Sequence, residues 1–363
     1  MKTRWLRILV LSVLPSLCFA PNQTLQAAPQ PALPTLKLYV ANEDDGTISV
    51  IDAVQGKVVS VIATMRKSKS GMEMFMTHNV QVSPDGKSVW VTAPPMEEGA
   101  GHKHVVEDEV FVIDPATDEI VHTVKLGTEQ HIAHVVFDAE SRFAYVTAYK
   151  GDKVLKVDAK TFVISSTFTL RKKSGPHGAR LCGDQLFIAE MGGKALAILN
   201  TTTGDITTVP LMGTAVQTAC TSNGKYAFAS LFDSREIVRF DTKTKAIARF
   251  AMPKGSQGPV QIYLSPDDGV LYVADQGVLM GRPASDKLVA FNVESGSVEA
   301  IIKVGKGPHG IVVAPGGTQA FVTNLVDGTV SVVDLVKKKT TSTIKVGKKP
   351  NGISAWTAKN AAP

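Results

Sequence analysis

GPHGIVVAPGGTQAFVTNLVDGTVSVVDLVKKKTTSTIKVG, residues 307–347, holds four short runs of β-branched or alternating apolar residues parted by Gly, Pro, Asn and Asp. Alternation with period two, bounded by turn formers, is the pattern of half-buried strands. It predicts strand A at 309–314, B at 319–324, C at 329–334 and D at 340–346. Working outward, the B run recurs as LYVAN (38–42), VWVTA (89–93), AYVTA (144–148), LFIAE (186–190), AFASL (227–231), LYVAD (271–275) and AFVTN (320–324). The C runs end in Asp52, Asp114, Asp158, Asn200, Asp241, Asn292 and Asp334, short polar residues that can bond the backbone of the following turn. Seven repeats whose B runs start 41 to 55 residues apart suit one four-stranded blade each. The repeats start inside a unit, at strand B, and finish on an orphan A strand, NGISAW (351–356). The expected fold is therefore all-β: a seven-bladed β-propeller of four-stranded blades, closed by the C-terminal strand A pairing into the N-terminal blade. Closure of that kind removes exposed sheet edges.

Composition agrees. The chain has 363 residues, 30 Gly and 19 Pro, enough for a sizeable core and too many turn formers for a helical protein. Net charge is +6, but Lys2, Arg4 and Arg7 stand at the extreme N-terminus and their removal leaves 36 basic against 33 acidic residues. So small an excess argues against a nucleic-acid binder. MKTRWLRILVLSVLPSLCFA, a basic start followed by an apolar run and small residues, reads as a secretory signal peptide over 1–20, with cleavage after Ala28 as the alternative. A linker over 21–36, the propeller over 37–357 and a tail over 358–363 complete the expected organisation. No stretch approaches the ~20 apolar residues of a membrane span, so the expected location is periplasmic.

The chain resembles the YVTN-repeat β-propeller family through LYVANEDDGTISVID (38–52), SPDGKSVWVT (83–92), FDAESRFAYVTA (137–148) and GPHGIVVAPGGTQAFVTN (307–324). The resemblance covers essentially everything after residue 36 and implies the propeller fold. It does not single out an activity, because such propellers serve many functions. THNVQVSPDGKSVWV (77–91) and AHVVFDAESRFAYV (133–146) are also distantly similar to the haem d1 propeller of cytochrome cd1 nitrite reductases and related maturation proteins. That similarity implies a histidine at the channel mouth as an iron ligand, with His78, His134, His177 and His309 as the positions available.

Antiparallel connectivity puts all D-to-A and B-to-C connections on one face. Every methionine after the N-terminal segment falls in or beside such a connection, as do His78, His131, His134, His177, His309, His102 and His104; His122, in a D strand, is the exception. Aligned blades bring His78, His177, His309 and Asn351 to one level at the start of strand A, with His134, Gln217 and Gln261 one residue further on. Met72, Met74, Met76 and His78 alternate in MRKSKSGMEMFMTH (65–78), so an extended segment directs them to one side. Thioether and imidazole together form a soft ligand set, which points to copper first and zinc second, with His102 and His104 as further nitrogen ligands. Taken singly, a His in a Pro-His-Gly turn or a Met under a loop is an ordinary structural residue; the bias of both to one face argues for a site.

Lysines and arginines in the D-to-A connections (Arg66, Lys67, Lys69, Arg171–Lys173, Lys254, Lys306, Lys348, Lys349) make a basic rim that suits an anionic cofactor such as a haem d1-like tetrapyrrole, though solvated turns are the more ordinary account of such residues. No CxxCH is present for covalent haem, and no GxSxG, HExxH or P-loop motif occurs. Three readings follow: metal handling or partnership with a periplasmic redox protein, an oxidoreductase or maturation protein acting on a bound tetrapyrrole, or an interaction scaffold. Cys182 and Cys220 sit on successive A strands; divergence of neighbouring strands favours buried free thiols, with a disulfide as the alternative.

Overall fold

The computed structural model describes residues 34–68, 71–96 and 106–358. Among these, seven four-stranded antiparallel sheets follow one another in chain order, and the only helical element is a single 3-10 turn, Val278–Met280. Among the described residues no helix is long and apolar enough to cross a membrane. In the blade first met in the sequence, strands B and C are Gln319–Asn324 and Thr329–Asp334, as expected, while A (Pro308–Val313) and D (Lys339–Lys345) each sit one residue earlier. The segment 65–78, expected to be extended, contains a small hairpin of Arg66–Ser68 against Gly71–Glu73.

Closure is as the repeat pattern demands. The last strand, Pro350–Thr357, pairs with Leu36–Asn42, setting Trp356 opposite Lys37 and Ser354 opposite Tyr39. The joined blade is clamped to the next one: Trp356 Nε1 donates to the Gly86 carbonyl at 2.8 Å, and Lys37 Nζ reaches Asp118 at 2.9 Å and the Pro115 carbonyl at 2.8 Å.

Strands B and C are covered on both faces by neighbouring blades, so all five residues of Val89–Ala93 are buried, whereas the outer D strand Ile164–Thr169 is largely exposed. Side chains of adjacent blades interlock; Trp90 and Val112 of one pack with Val135 and Phe137 of the next. The C-strand termini act as the sequence implied: Asp52, Asp158 and Asn200 each accept two backbone N–H bonds from the turn that follows, at 2.7–2.9 Å.

The Thr of the repeated VTA and VTN segments has a specific task. Thr147 Oγ1 accepts the N–H of His134 in its own blade at 2.9 Å and donates to the His177 carbonyl of the next blade at 2.7 Å. Thr92 makes the same pair of contacts with Asn79 and Ala133, and Thr323 with Gly310 and Asn351. This hydroxyl spans the bulge in strand A and locks neighbouring A strands together at the level of the histidines.

Neighbouring A strands are close at that level. A Cβ on Gly178 would lie 2.6 Å from Cα of Gln217, and one on Gly352 would lie 2.8 Å from Cα of Asn79. The Gly that ends the Pro-His-Gly and Pro-Asn-Gly segments is thus demanded by strand approach around a narrow hub. The same approach overturns the free-thiol expectation. Cys182 and Cys220 form a disulfide across two blades with their Cα atoms 6.5 Å apart, because strands that splay at the rim still run side by side at the axis.

Candidate metal centre at the channel mouth

Strand A starts at the channel opening on the D-to-A/B-to-C face, and three histidines carried there meet. One ring nitrogen from each of His78, His134 and His177 lies within 4.8 Å of the other two. The ring centroids are 5.8 Å (His78–His134), 5.4 Å (His78–His177) and 4.9 Å (His134–His177) apart, each pair edge to face. They come from three consecutive blades, and His134 reaches the others although it stands one residue deeper along its strand.

Second partners orient the rings. His177 Nδ1 lies 2.9 Å from the carbonyl of Val216, so it carries the proton and Nε2 keeps its lone pair. His78 Nδ1 lies 3.1 Å from Asn351 Nδ2 and 3.9 Å from Glu43 Oε1, and Asn351 also donates to Glu43 Oε2 at 2.8 Å. His78 Nε2 is buried with no hydrogen-bond partner. His134 Nδ1 faces the Gln217 amide at 3.5 Å, and that amide also bonds Gln261. His309 Nδ1 meets the Gln276 amide.

Burial sets the charge. It pushes His134 well below the usual imidazole range, and the neighbouring His177 and His78 add to the effect. His177 is pushed down to about 3 by burial and then by His78, against the opposing hydrogen bond to Val216, and His309 is pushed down to about 4 by burial and then by His78. Burial alone would raise Glu43, but its interaction with His78, with help from the Asn351 hydrogen bond, brings it down to about 2. His134, His177 and His309 are therefore neutral imidazoles near an ionised carboxylate, the protonation states that metal ligation and its support require.

Over the imidazoles stands a cavity of about 810 Å³, whose lining includes His78, His177, His309, Asn351 and Glu43. Its walls are largely apolar: Val216, Val278, Leu279, Leu325, Val326 and Val346. Lys345, Lys348 and Lys349 are also in the lining, with Asp44 and Asp45 among them. Three residues of the expected basic rim are neutralised by pairing: Lys349 lies 2.8 Å from Asp44, Arg171 2.7 Å from Glu190 and Arg66 2.6 Å from Glu109.

Of the other residues singled out from the sequence, Met74, Met76 and His78 are half-buried while the intervening Phe75 and Thr77 are buried, so the alternation holds there; Met72 is exposed. None of the three methionines lines the cavity. His102 and His104 lie outside the described residues. His122 stacks on Phe162 at 4.0 Å, away from the mouth. Sequence reasoning overlooked Glu43 and Gln276. Each directly follows a B strand, Leu36–Asn42 and Val270–Asp275, and that position at a B-to-C turn beside a histidine-bearing A strand is the signal that finds them.

No protein-family model matches the chain, and no curated protein does. Solved structures do. The chain is similar to virginiamycin B lyase from Staphylococcus aureus (16% identity, TM-score 0.62, 87% of this chain and 92% of that one) and to dihydro-heme d1 dehydrogenase NirN in complex with DHE (12%, TM-score 0.60, 90% and 67%). It is similar as well to apo AztD from Citrobacter koseri (19%, TM-score 0.52, 88% and 97%). At these identities the likeness establishes the shared seven-bladed propeller fold and nothing finer.

Proposed function

We propose that this protein binds one transition-metal ion through His78, His134 and His177 at the channel mouth and serves in extracytoplasmic metal handling or as the partner of a redox protein. The convergence of three imidazole nitrogens within 4.8 Å carries the reading. The unpartnered, buried Nε2 of His78 supports it, since a buried polar atom without a partner costs about 1–3 kcal/mol and ligation would satisfy it. An imidazole set suits copper and zinc, and the general order of divalent affinities puts Cu(II) ahead of Zn(II). The preference for copper thus rests on imidazole and that order, not on methionine. His309 and Glu43 flank the cluster, and the cavity leaves room for water or an exogenous ligand. Export is supported by the basic and apolar N-terminal segment and by the Cys182–Cys220 disulfide, which suits an oxidising compartment.

The test is equilibrium dialysis against Cu(II) and Zn(II) with elemental analysis. One equivalent should bind, and His78→Ala, His134→Ala and His177→Ala should each weaken it by at least tenfold. Uptake unchanged in the triple variant would end this reading.

A second reading is favoured by one observation, the large apolar-walled cavity directly over the imidazoles with lysines at its edge. A cavity of that size lies within the range of organic-ligand sites, so a planar anionic cofactor such as a tetrapyrrole, ligated by His177 or His309, fits the same mouth. Adding haem should then produce a shifted Soret band that His177→Ala or His309→Ala abolishes; an unshifted spectrum counts against it.

A further inference from the structure

The opposite mouth of the channel holds an uncompensated cation. Arg180, on the strand Pro176–Cys182, is half-buried, and among the described residues no hydrogen bond or ion pair engages its guanidinium; its one contact of note is with Tyr263, whose ring centroid lies 5.9 Å from Cζ. It lines a cavity of about 450 Å³ at the ends of the A strands, whose lining also includes Gln81, Tyr263, Ser354, Ile262, Leu264 and Val313. The single carboxylate in that lining, Asp268, is engaged by Ser222, through its N–H at 2.7 Å and its hydroxyl at 2.6 Å. Burial pulls the guanidinium below its usual range, with Tyr263 opposing the effect.

A half-buried guanidinium that lines a cavity and has no counter-charge beside it is placed to receive an anion from solution. Guanidinium offers a planar fork of donors matched to two oxygens of a carboxylate or phosphate. Tyr263 and the aliphatic walls suit the carbon skeleton behind those oxygens. We propose that this mouth is a second binding site, taking a small organic oxyanion whose carboxylate or phosphate is held by Arg180 and whose apolar body rests on Tyr263.

A further consequence concerns the interior. Arg180 and His134 both line a small cavity of about 40 Å³ between the two mouths. The anion site and the histidine cluster are therefore opposite ends of one channel.

The experiment is isothermal titration of the metal-free protein with benzoate, phenyl phosphate and inorganic phosphate, which does not depend on the metal reading. Saturable binding of benzoate or phenyl phosphate, at least tenfold tighter than inorganic phosphate and at least tenfold weaker in Arg180→Gln, is expected; whichever of the two binds identifies the head group. Arg180→Lys keeps the charge and loses the fork, and it should bind several-fold more weakly than wild type, which covers the case of a misfolded Gln variant. Absence of saturable binding by either aromatic anion, or undiminished binding in the substituted proteins, would overturn the proposal.

Discussion

His78 Nδ1 stands 3.9 Å from Glu43 Oε1, the Asn351 amide bridging the two. A metal on Nε2 would move the imidazole proton to Nδ1, replacing the bond Nδ1 accepts from Asn351 and putting a positive ring edge beside the Glu43 carboxylate. Glu43, held down to about 2, is ionised throughout the neutral range. Glu43→Gln keeps the shape and removes the charge, so metal affinity should fall by roughly tenfold, read by competition with a chromophoric chelator. Equal affinity in the variant would separate Glu43 from the site.

Acid should destabilise the protein well before its carboxylates are exhausted. His177 and His309 are neutral in the fold, pushed down to about 3 and about 4 from an unfolded value of 6.5. Below that value the unfolded chain takes up protons that the folded one refuses, so their contribution is whole above pH 6.5 and fades as pH falls toward 4 and 3. Glu43 acts in the same direction at lower pH, losing its contribution as pH falls from 4.5 toward 2. Thermal scans of the metal-free protein should show Tm declining from pH 7 to pH 4, and His177→Ala should flatten the slope.

Lys37 is buried with 1% of its surface exposed, yet its ammonium is fully engaged by Asp118 and Pro115 under the ring of Trp356. Tyr39 adds a 2.5 Å bond to the same carboxylate, and burial with Asp118 holds its phenol above the usual range. Lys37→Met strands the carboxylate and should cost about 3–5 kcal/mol in urea denaturation. Adding Asp118→Leu should recover a large part of it. A single-variant loss under about 1 kcal/mol would contradict a buried, closure-bracing pair.

The disulfide predicts a dependence on reductant. Cys182 and Cys220 are 38 positions apart, and a closed loop of that size is worth about 3–4 kcal/mol by restricting the unfolded chain. Reducing agent should lower the denaturation midpoint of the wild-type protein and leave that of the Cys182→Ser/Cys220→Ser variant unmoved. Two free thiols per chain in the unreduced, unfolded protein, beyond any at Cys18, would refute the bond.

The fold was legible because each blade repeats the same local instructions. Alternating B and C runs such as AFVTN and SVVD, and Asp or Asn at the C-strand ends, specify strands and turns through neighbours a few residues away. The orphan NGISAW strand made closure a matter of edge pairing. The gathering of His78, His134, His177 and His309 on one mouth was likewise readable from blade alignment. What alignment could not supply was distance: whether imidazoles from three blades actually touch depends on how tightly the A strands approach, a property of the closed ring.

The sequence by itself determined the repeat, the blade number, the closing strand and the face that collects the histidines, since all of these follow from local periodicity and chain connectivity. Tertiary structure decided the rest. It brought Glu43 to His78 and left the methionines out of the cavity wall, joined Cys182 to Cys220 where strands converge on the axis, and left Arg180 without a counter-charge at the far mouth. Those outcomes turn on separations of a few ångströms between residues far apart in the chain, and only the packing of seven blades around one axis sets them.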